Sequence, residues 1–281
     1  MTRSACAILA LVSMIAAPPR GGDRERQRAT YEVSAIRFAT LPAYPVRSLV
    51  AGAEQGRSMD LAMMVWLIKG SGRVVLVDAG FYRDRLVLRW KPRDFVRPSE
   101  AVAAAGTPAD QVTDIVVSHV HWDHMDGLDL FPRARVWIQR EEYEYYVGDD
   151  GKPRRGVIEV EDAAMLAQLR AAGRVMLVEG DGQTIMPGIT VYTGGKHTYA
   201  SQYVGVATGS STIILASDNV YLYENLDKHA AIAQTLDAAS NVAAQDRMRT
   251  LASEPRLIVP GHDPAVFERF PRPGNGVARI Q

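Results

Sequence analysis

The sequence predicts one layered α/β domain over residues 29–281. Two observations support this fold class. Strand-like apolar runs and helix-like segments alternate along the whole region, which is the pattern of a protein with helices packed on sheets. In addition, residues 31–281 contain no repeat, no low-complexity tract and no convincing linker, so nothing in the chain marks a boundary between two domains.

The predicted domain begins with a β-hairpin. The sequence becomes strand-like from Tyr31, and residues 63–68 form an apolar run with the length of a buried strand. Gly70-Ser71-Gly72 is a turn signal, and residues 73–77 form a second apolar run, so the two runs predict a hairpin. The second strand ends at Asp78-Ala79-Gly80, where an acidic residue leads into a glycine turn.

Helices and short strands alternate through the middle of the chain. Residues 99–105 are typical of a capped helix, since Pro98-Ser99-Glu100 supplies start signals and Gly106 a stop signal. The other elements that we expect here are a turn of helix at 108–112, strands at 114–118 and 134–139, and helices at 141–146 and 161–172.

The last third of the chain contains a second group of predicted strands. These strands cover residues 174–178, 189–193, 203–207 and 211–217. Residues 226–251 are rich in Ala, Leu, Gln and Asp and predict a helix, with a break near Ala239-Ser240-Asn241. A last short strand is expected at 256–259, directly before Pro260-Gly261-His262.

Composition narrows the class of partner. Lys plus Arg and Asp plus Glu both number 32, so the formal net charge is zero. A balanced chain has no electrostatic footprint for nucleic acid or for an anionic membrane surface, so we expect neither as a partner. The balance fits a small neutral substrate. The oligomeric state is left open, and a homodimer is compatible with the sequence.

The N-terminus is typical of a targeting segment. Arg3 precedes an unbroken apolar stretch at residues 5–17, which has the length of a signal-peptide core and is too short to span a membrane. We therefore expect residues 1–28 to be a signal peptide and linker, and the mature protein to be periplasmic or secreted without stable membrane insertion. The alternatives are a frayed apolar N-terminus and a retained anchor. Cys6 is the only cysteine, so a processed chain has no thiol.

A dense group of metal-ligand side chains follows the predicted strand that ends at Ser118. Alternate residues of extended backbone share a face, so His119 and His121 can reach one metal. Asp123 and His124 come after the chain has begun to turn and can face a second metal. Gly127 then allows a tight backbone.

Three further ligand-type residues lie downstream, each at the end of a predicted strand: His197, Asp218 and His262. Five imidazoles and two carboxylates are too many for one zinc ion, which takes three protein ligands and a water molecule in a catalytic site. They suit two metals that share a carboxylate, which is an arrangement for hydrolysis. His229, in a polar helical segment, is expected to be solvated.

At these residues the sequence resembles the metallo-β-lactamase superfamily of dinuclear hydrolases. The resemblance rests on the His-Val-His-Trp-Asp-His run, on His197, Asp218 and His262, and on the segment 76–80. It implies a four-layer αβ/βα sandwich with the site at one edge and two divalent metal ions, with zinc expected. It further implies that His119, His121 and His197 hold metal one, that Asp123, His124 and His262 hold metal two, and that Asp218 bridges them. Asp78 would orient the ligand loop without binding metal.

Within the superfamily, the N-acyl homoserine lactone lactonases are the most similar branch. Tyr221 follows Asp218 by three residues, which is a mark of that group. The resemblance implies a quorum-quenching hydrolase in which a hydroxide bridging the metals attacks the lactone carbonyl. Tyr221 would hydrogen-bond to the developing oxyanion, and Asp123 or a metal-bound water would supply the proton.

An acyl chain requires an apolar groove beside the metals. The candidates for substrate binding are Trp122, Met59, Phe81 and Tyr82, whereas Met63 and Met64 fit the core better. Two alternatives to the lactonase stay open. One is another lactonase, an esterase or a β-lactamase of the same fold. The other is a metal-binding protein without turnover, which the complete ligand set disfavours.

Overall fold

The computed structural model describes residues 30–281, and the predicted signal peptide and linker at 1–28 lie outside the described residues. A seven-stranded sheet has the strand order β12-β1-β2-β3-β4-β5-β6, and a five-stranded sheet has the order β11-β10-β9-β8-β7. The strands of the larger sheet are β1 (Tyr31–Pro45), β2 (Ser58–Gly70), β3 (Arg73–Val77), β4 (Asp114–Val116), β5 (Arg135–Gln139), β6 (Val175–Val178) and β12 (Val277–Arg279). Those of the smaller sheet are β7 (Gln183–Met186), β8 (Ile189–Thr193), β9 (Gln202–Ala207), β10 (Thr212–Ser217) and β11 (Ile258–Pro260).

Eight α-helices lie within residues 30–281, and several of them pack on the outer faces of the sheets. They are α1 (Asp84–Trp90), α2 (Pro98–Ala104), α3 (Trp122–Met125), α4 (Arg140–Tyr146), α5 (Val160–Ala171), α6 (Tyr223–Asp227), α7 (Ala238–Leu251) and α8 (Val266–Arg269). No helix of this region is both long enough and apolar enough to cross a membrane.

Side-chain alternation along the central strands explains the layers. In β3, Val75 and Val77 pack into the core between the two sheets, whereas Leu76 packs into the core beneath the helices. Helices α2, α4 and α5 lie against the larger sheet, and α7 lies against β10 of the smaller one. The arrangement confirms the predicted four-layer αβ/βα sandwich.

Pairing within the sheets determines where the strands end. β3, β4, β5 and β6 are parallel neighbours, and so are β10 and β11, while the other pairs are antiparallel. Because parallel strands end at the same edge of a sheet, the segments that follow β3 and β4 lie side by side. The segments that follow β10 and β11 do the same.

The structure corrects the predicted helix break. α7 is continuous through Asn241, and the non-helical interval lies earlier, between α6 and α7. Asp237 caps α7 by accepting a hydrogen bond from the backbone N–H of Ser240 at 3.0 Å. Asn241 is buried and hydrogen-bonds to the backbone of Ile232 and Asn219, so tertiary contacts hold it in a helix that its own propensity disfavours. The sequence did not predict α1 or β7.

Candidate metal centre

The predicted ligands converge from four strand ends. The segments after β4, β8, β10 and β11 bring their side chains together at one edge of the sandwich. The ligand atoms form two groups, each with all of its atoms within 4.8 Å of one another: His119, His121, His197 and Asp218 in one, and Asp123, His124 and His262 in the other.

Local backbone geometry turns the chain between the two groups. His121 is still extended, with φ −70° and ψ 149°, and it is the N-cap of α3. Asp123 and His124 lie within that short helix and contribute to the second group of ligand atoms, although the rings of His119 and His124 are only 4.1 Å apart. The predicted tight passage at Gly127 has a cause, because a Cβ atom there would lie 2.3 Å from the carbonyl oxygen of Ala79.

Three imidazole nitrogens of the first group point at one another. His121 presents Nδ1, which lies 2.9 Å from Nε2 of His119 and 2.9 Å from Nε2 of His197. Two neutral imidazole nitrogens can approach this closely only when one proton lies between them. Where three such nitrogens converge, lone pairs face one another, and this arrangement favours a cation at their centre. This triangle is suited to a divalent ion with nitrogen ligands.

Asp218 lies between the two groups, and each of its oxygens faces a different one. Oδ2 is 3.4 Å from Nε2 of His197 and 3.8 Å from Nε2 of His119. Oδ1 is 2.9 Å from Nε2 of His262 and 3.3 Å from Nε2 of His124. A carboxylate in this position can bind one metal through each oxygen.

Hydrogen bonds outside the cluster fix the tautomers of the histidines. The Nδ1–H groups of His197 and His262 donate to the carbonyl oxygens of Gln234 and Ala62, at 2.7 and 3.2 Å. Nδ1 of His124 lies 2.8 Å from Oδ2 of Asp78, and Nδ1 of His119 lies 2.9 Å from the Ser118 hydroxyl. A proton on Nδ1 leaves the lone pair of Nε2 directed into the cluster, as metal ligation requires.

Asp78 is fully buried. It contacts His124 at Nδ1, whereas Nε2 is the nitrogen that faces the other predicted metal ligands. Besides His124, it accepts hydrogen bonds from the backbone N–H and hydroxyl of Ser118, at 2.7 and 2.9 Å, and from the hydroxyl of Ser217 at 3.0 Å. The residue has a left-handed backbone, with φ 62°. Its carboxylate therefore connects the segments after β3, β4 and β10, in keeping with the predicted orienting role.

Burial and the neighbouring carboxylates shift the pKa values of the five histidines in opposite directions. Burial lowers the pKa values of His119, His121 and His197, which keeps these imidazoles neutral. Burial also opposes charge on His124 and His262, but Asp218 and other carboxylates outweigh it and raise both pKa values.

Asp218 and two of the histidines shift one another's pKa values. The carboxylate raises the pKa values of His124 and His262, and these two imidazoles lower that of Asp218. Burial alone would raise the pKa of the Asp218 carboxyl, but His124 and His262 hold it well below its ordinary value. Within residues 30–281, Oδ1 of Asp218 and Nε2 of His124 are buried and make no hydrogen bond of suitable geometry, although Nε2 of His262 lies 2.9 Å from Oδ1. The donor set and these two atoms fit a pair of divalent cations, which would satisfy the orphaned atoms and balance the buried charge.

Tyr221 lies beside both ligand groups. Its ring centroid is 5.6 Å from that of His197 and 5.9 Å from that of His262. Burial raises the pKa of its phenol well above the ordinary value, and Asp218 raises it further, so the hydroxyl keeps its proton and can donate it in a hydrogen bond. The position is compatible with the predicted role.

A cavity of about 270 Å³ opens directly onto the cluster, with His121, Asp123, Asp218, Tyr221 and His262 in its wall. The β1–β2 pair contributes Leu41, Leu61 and Met63 to the same wall. Met63 therefore serves both the core and the cavity. Trp122 also lines the cavity and stacks on Trp90, with centroids 4.9 Å apart and an interplanar angle of 11°.

Three of the predicted substrate-binding residues do not lie on the cavity wall. Phe81 is fully buried and packs edge-on behind Trp122 at 4.8 Å, so it supports the wall without forming it. Tyr82 points to a surface carboxylate and hydrogen-bonds to Asp129. Met59 pairs with Tyr44 across β1 and β2, and it is Tyr44 that reaches the cavity. His229 is half exposed and bonds to Asp246, away from the cluster.

Glu142, a buried carboxylate of α4, is a residue that sequence reasoning missed. It accepts hydrogen bonds from the backbone N–H of Val120 at 3.2 Å, the hydroxyl of Thr198 at 2.5 Å and the backbone N–H of Ala200 at 2.7 Å. Burial raises its pKa to about 7. The residue joins the segment of His119 and His121 to that of His197. A single Glu in a polar helix carries no local signal for such a role.

Residues 62–262 match the family model of the metallo-beta-lactamase superfamily, and the chain belongs to this family. The match begins in β2 and ends at His262, so it includes every predicted metal ligand.

Similar curated proteins carry the name N-acyl homoserine lactonase. The AttM protein of Rhizobium johnstonii is 28% identical over 179 residues, which are 61% of this chain and 65% of the relative. The match thus spans just under two thirds of that protein. The AiiA protein of Bacillus thuringiensis subsp. kurstaki is 23% identical over 226 residues, which are 74% of this chain and 84% of the relative.

Solved structures share the fold. A quorum-quenching N-acyl homoserine lactone lactonase aligns with a TM-score of 0.70 and 20% identity, covering 85% of this chain and 95% of the other. AidC, a dizinc quorum-quenching lactonase in complex with a product, aligns with a TM-score of 0.63 and 14% identity, covering 90% and 97%.

Proposed function

We propose that the protein is a dinuclear metal-dependent lactonase that hydrolyses the ring of N-acyl homoserine lactones and so quenches quorum signals. The observation that carries the proposal is Asp218, which lies between two groups of ligand atoms and is followed by Tyr221 at the same cavity. The names of the relatives support the choice of substrate.

The two groups of ligand atoms would each hold one ion, His119, His121 and His197 on one side, Asp123, His124 and His262 on the other, with Asp218 shared. Zinc is the ion that we propose, since imidazole and carboxylate ligands suit it. When bound, two such ions polarise a carbonyl oxygen and lower the pKa of a water molecule towards neutrality.

The side chains of the cavity supply the remaining chemistry. Tyr221 remains protonated and donates a hydrogen bond to the carbonyl oxygen as negative charge develops on it. Asp123 lies in the same cavity wall. Its carboxyl group, or a metal-bound water, would supply the proton to the oxygen that leaves when the ring opens.

The apolar wall of the cavity orients the substrate. Leu41, Leu61, Met63 and the Trp90–Trp122 pair offer hydrocarbon surface next to the cluster, which favours an acyl chain over a small polar substituent. The same side chains displace water from the cavity, and this strengthens the hydrogen bond from Tyr221.

A pH-stat assay of the purified, zinc-loaded full-length protein tests the proposal. The substrates are a short and a long N-acyl homoserine lactone, with a chromogenic β-lactam alongside. We expect the lactones to release protons, the β-lactam to give no turnover, and a chelator to abolish the activity. Readdition of zinc should restore it.

The absence of lactone turnover by protein with two bound metal ions would contradict the proposal. Turnover of the β-lactam alone would assign the site to a different hydrolase of this fold. Equal activity before and after complete metal removal would show that the cluster is not the reaction centre.

A further inference from the structure

An irregularity in β1 brings Tyr44 to the cavity. Leu41 pairs with Leu61 and Tyr44 pairs with Met59, so three steps along β1 match two steps along β2. The extra residue is a β-bulge. Because side chains alternate along a strand, one extra residue reverses the face to which all following side chains point.

The bulge is held in an unfavourable conformation. Ala43 has φ 51°, a left-handed value that alanine rarely adopts. Its backbone N–H donates to Oδ1 of Asp60 at 3.0 Å, and Asp60 is in turn bound by Arg93. Backbone strain that is braced in this way concentrates at functional sites. The strained residue directly precedes Tyr44.

Tyr44 shares the cavity wall with Asp123, Asp218 and Tyr221. Burial raises the pKa of its phenol above the ordinary value. The hydroxyl is therefore a protonated donor at neutral pH. The cavity holds two phenols, and ring opening needs only one of them.

The surroundings of Tyr44 make its hydroxyl selective. Leu41, Leu49 and Leu61 line the same cavity as Tyr44. A ligand that covers this wall removes water from the phenol, which costs free energy unless the ligand supplies a hydrogen-bond partner. An N-acyl homoserine lactone carries an amide beside its ring, whereas an alkyl lactone offers only hydrocarbon.

We propose that Tyr44 is a specificity-determining residue whose phenol hydrogen-bonds to the amide of the acyl chain, while Tyr221 serves the ring carbonyl. The inference rests on the proposed lactonase function. It assigns the preference for N-acylated lactones over alkyl lactones to the bulge in β1.

Kinetics of Tyr44→Phe on two substrates test the assignment. The substrates are N-hexanoyl homoserine lactone and γ-nonalactone, which has a ring and an alkyl chain but no amide. Loss of one neutral hydrogen bond should lower kcat/KM for the acylated lactone by about tenfold, chiefly through KM. The value for γ-nonalactone should not fall and should rise by up to about tenfold, since Phe removes a hydroxyl that this substrate leaves without a hydrogen-bond partner. Tyr192→Phe, the same change in β8, is the matched control and should alter neither value.

An equal loss on both substrates, or a loss on neither, would overturn the assignment. A binding measurement separates this failure from failure of the lactonase function. In titration calorimetry of the zinc-loaded protein with the product N-hexanoyl homoserine, Tyr44→Phe should weaken Kd by about tenfold. Wild-type protein that binds the product without hydrolysing the lactone would overturn the function and leave Tyr44 as its amide-binding residue. Equal Kd values would overturn the role of Tyr44.

Discussion

Two buried carboxylate clusters lie close together in this molecule, and they neutralise their charge in different ways. The metal cluster consists of Asp218 and the six other predicted ligands. The arginine cluster consists of Asp126, Asp162, Arg83 and Arg85, at the ends of α1, α3 and α5. Asp126, Asp162 and Asp218 are all buried, so burial of a carboxylate does not by itself indicate a metal site.

The cations of the arginine cluster belong to the protein. Arg83 donates to Oδ1 of Asp126 at 2.7 Å, and its guanidinium is 3.8 Å from Asp162. Arg85 lies 3.7 Å from Asp126 and also binds Glu159. Guanidinium groups have donors but no lone pairs, so the carboxylates of this cluster face cations of the protein itself, and burial further favours a proton on Asp162.

The metal cluster surrounds its carboxylate with lone pairs instead. The Nε2 atoms of His119, His124, His197 and His262 all lie within 3.8 Å of an Asp218 oxygen. Their outward hydrogen bonds keep these atoms free of protons when a cation is bound. The residues around the buried carboxylate therefore distinguish the two kinds of site. Arginines form a structural ion-pair network, whereas histidines with the proton on Nδ1 present lone pairs that can bind a metal.

Asp218→Asn is expected to produce the largest effect. The substitution removes a shared negative charge and replaces one ligand oxygen with an amide nitrogen, so at least one metal ion should be lost. Lactone kcat/KM should fall by more than about 1000-fold, beyond the loss of a single electrostatic donor. Metal content by mass spectrometry and pH-stat kinetics check this. Asp162→Asn is the matched control in the arginine cluster, and full metal content with full activity in Asp218→Asn would contradict the bridging role.

Tyr221→Phe should have the next largest effect. The ring remains in place, and only the hydrogen bond to the developing oxyanion is lost, so kcat should fall by about 100-fold. Metal content should not change, because the phenol is not among the ligand atoms of either group. Steady-state kinetics on one lactone, with metal analysis of the same sample, measure both quantities. Unchanged turnover would remove Tyr221 from the mechanism.

The contrast between the clusters also explains what could be predicted from the sequence. The ligand run from His119 to His124 is local, and His197, Asp218 and His262 each follow an apolar strand, so their convergence follows from strand ends. Asp162 and Glu142 have no such signal. Glu142 contacts segments 22, 56 and 58 residues away, and a single polar residue in a helix does not specify such contacts.

The errors of the sequence prediction have similar causes. Helix α1 has only seven residues, which is too short a window for the apolar spacing of Leu86 and Trp90 to predict a helix. Tyr44 depends on a bulge, which is a property of pairing between two strands and is invisible in either strand alone. Phe81 packs against Trp122 and Tyr82 bonds to Asp129, and neither side chain lies in the cavity wall. Proximity to the ligand loop was an insufficient criterion.

Asp78→Asn should have a smaller effect than the loss of Tyr221. Asp78 orients His124, and the loss of such an outer hydrogen-bond partner lowers metal affinity by about 10-fold. The expected result is weaker binding of one of the two ions, with kcat recovered in excess zinc. Competition with a fluorescent chelator measures the two affinities separately. Equal weakening of both ions would contradict an action through His124 alone and would indicate that Asp78 also acts on His119 through Ser118.

The smallest expected effect concerns the arginine cluster and appears only as a change of stability with pH. Burial raises the pKa of Asp162 from 3.8 to about 8, and Asp126 contributes to the shift. The folded protein therefore keeps a proton that the unfolded chain releases, so the free energy of unfolding decreases as the pH rises from about 4 to about 8. Asp162→Asn should reduce the decrease between pH 5 and pH 9 by at least about 1 kcal/mol in urea denaturation. Asp149→Asn, at a fully exposed carboxylate, should leave it unchanged. An identical pH dependence in wild type and Asp162→Asn would mean that Arg83 and Arg85 already keep Asp162 ionised.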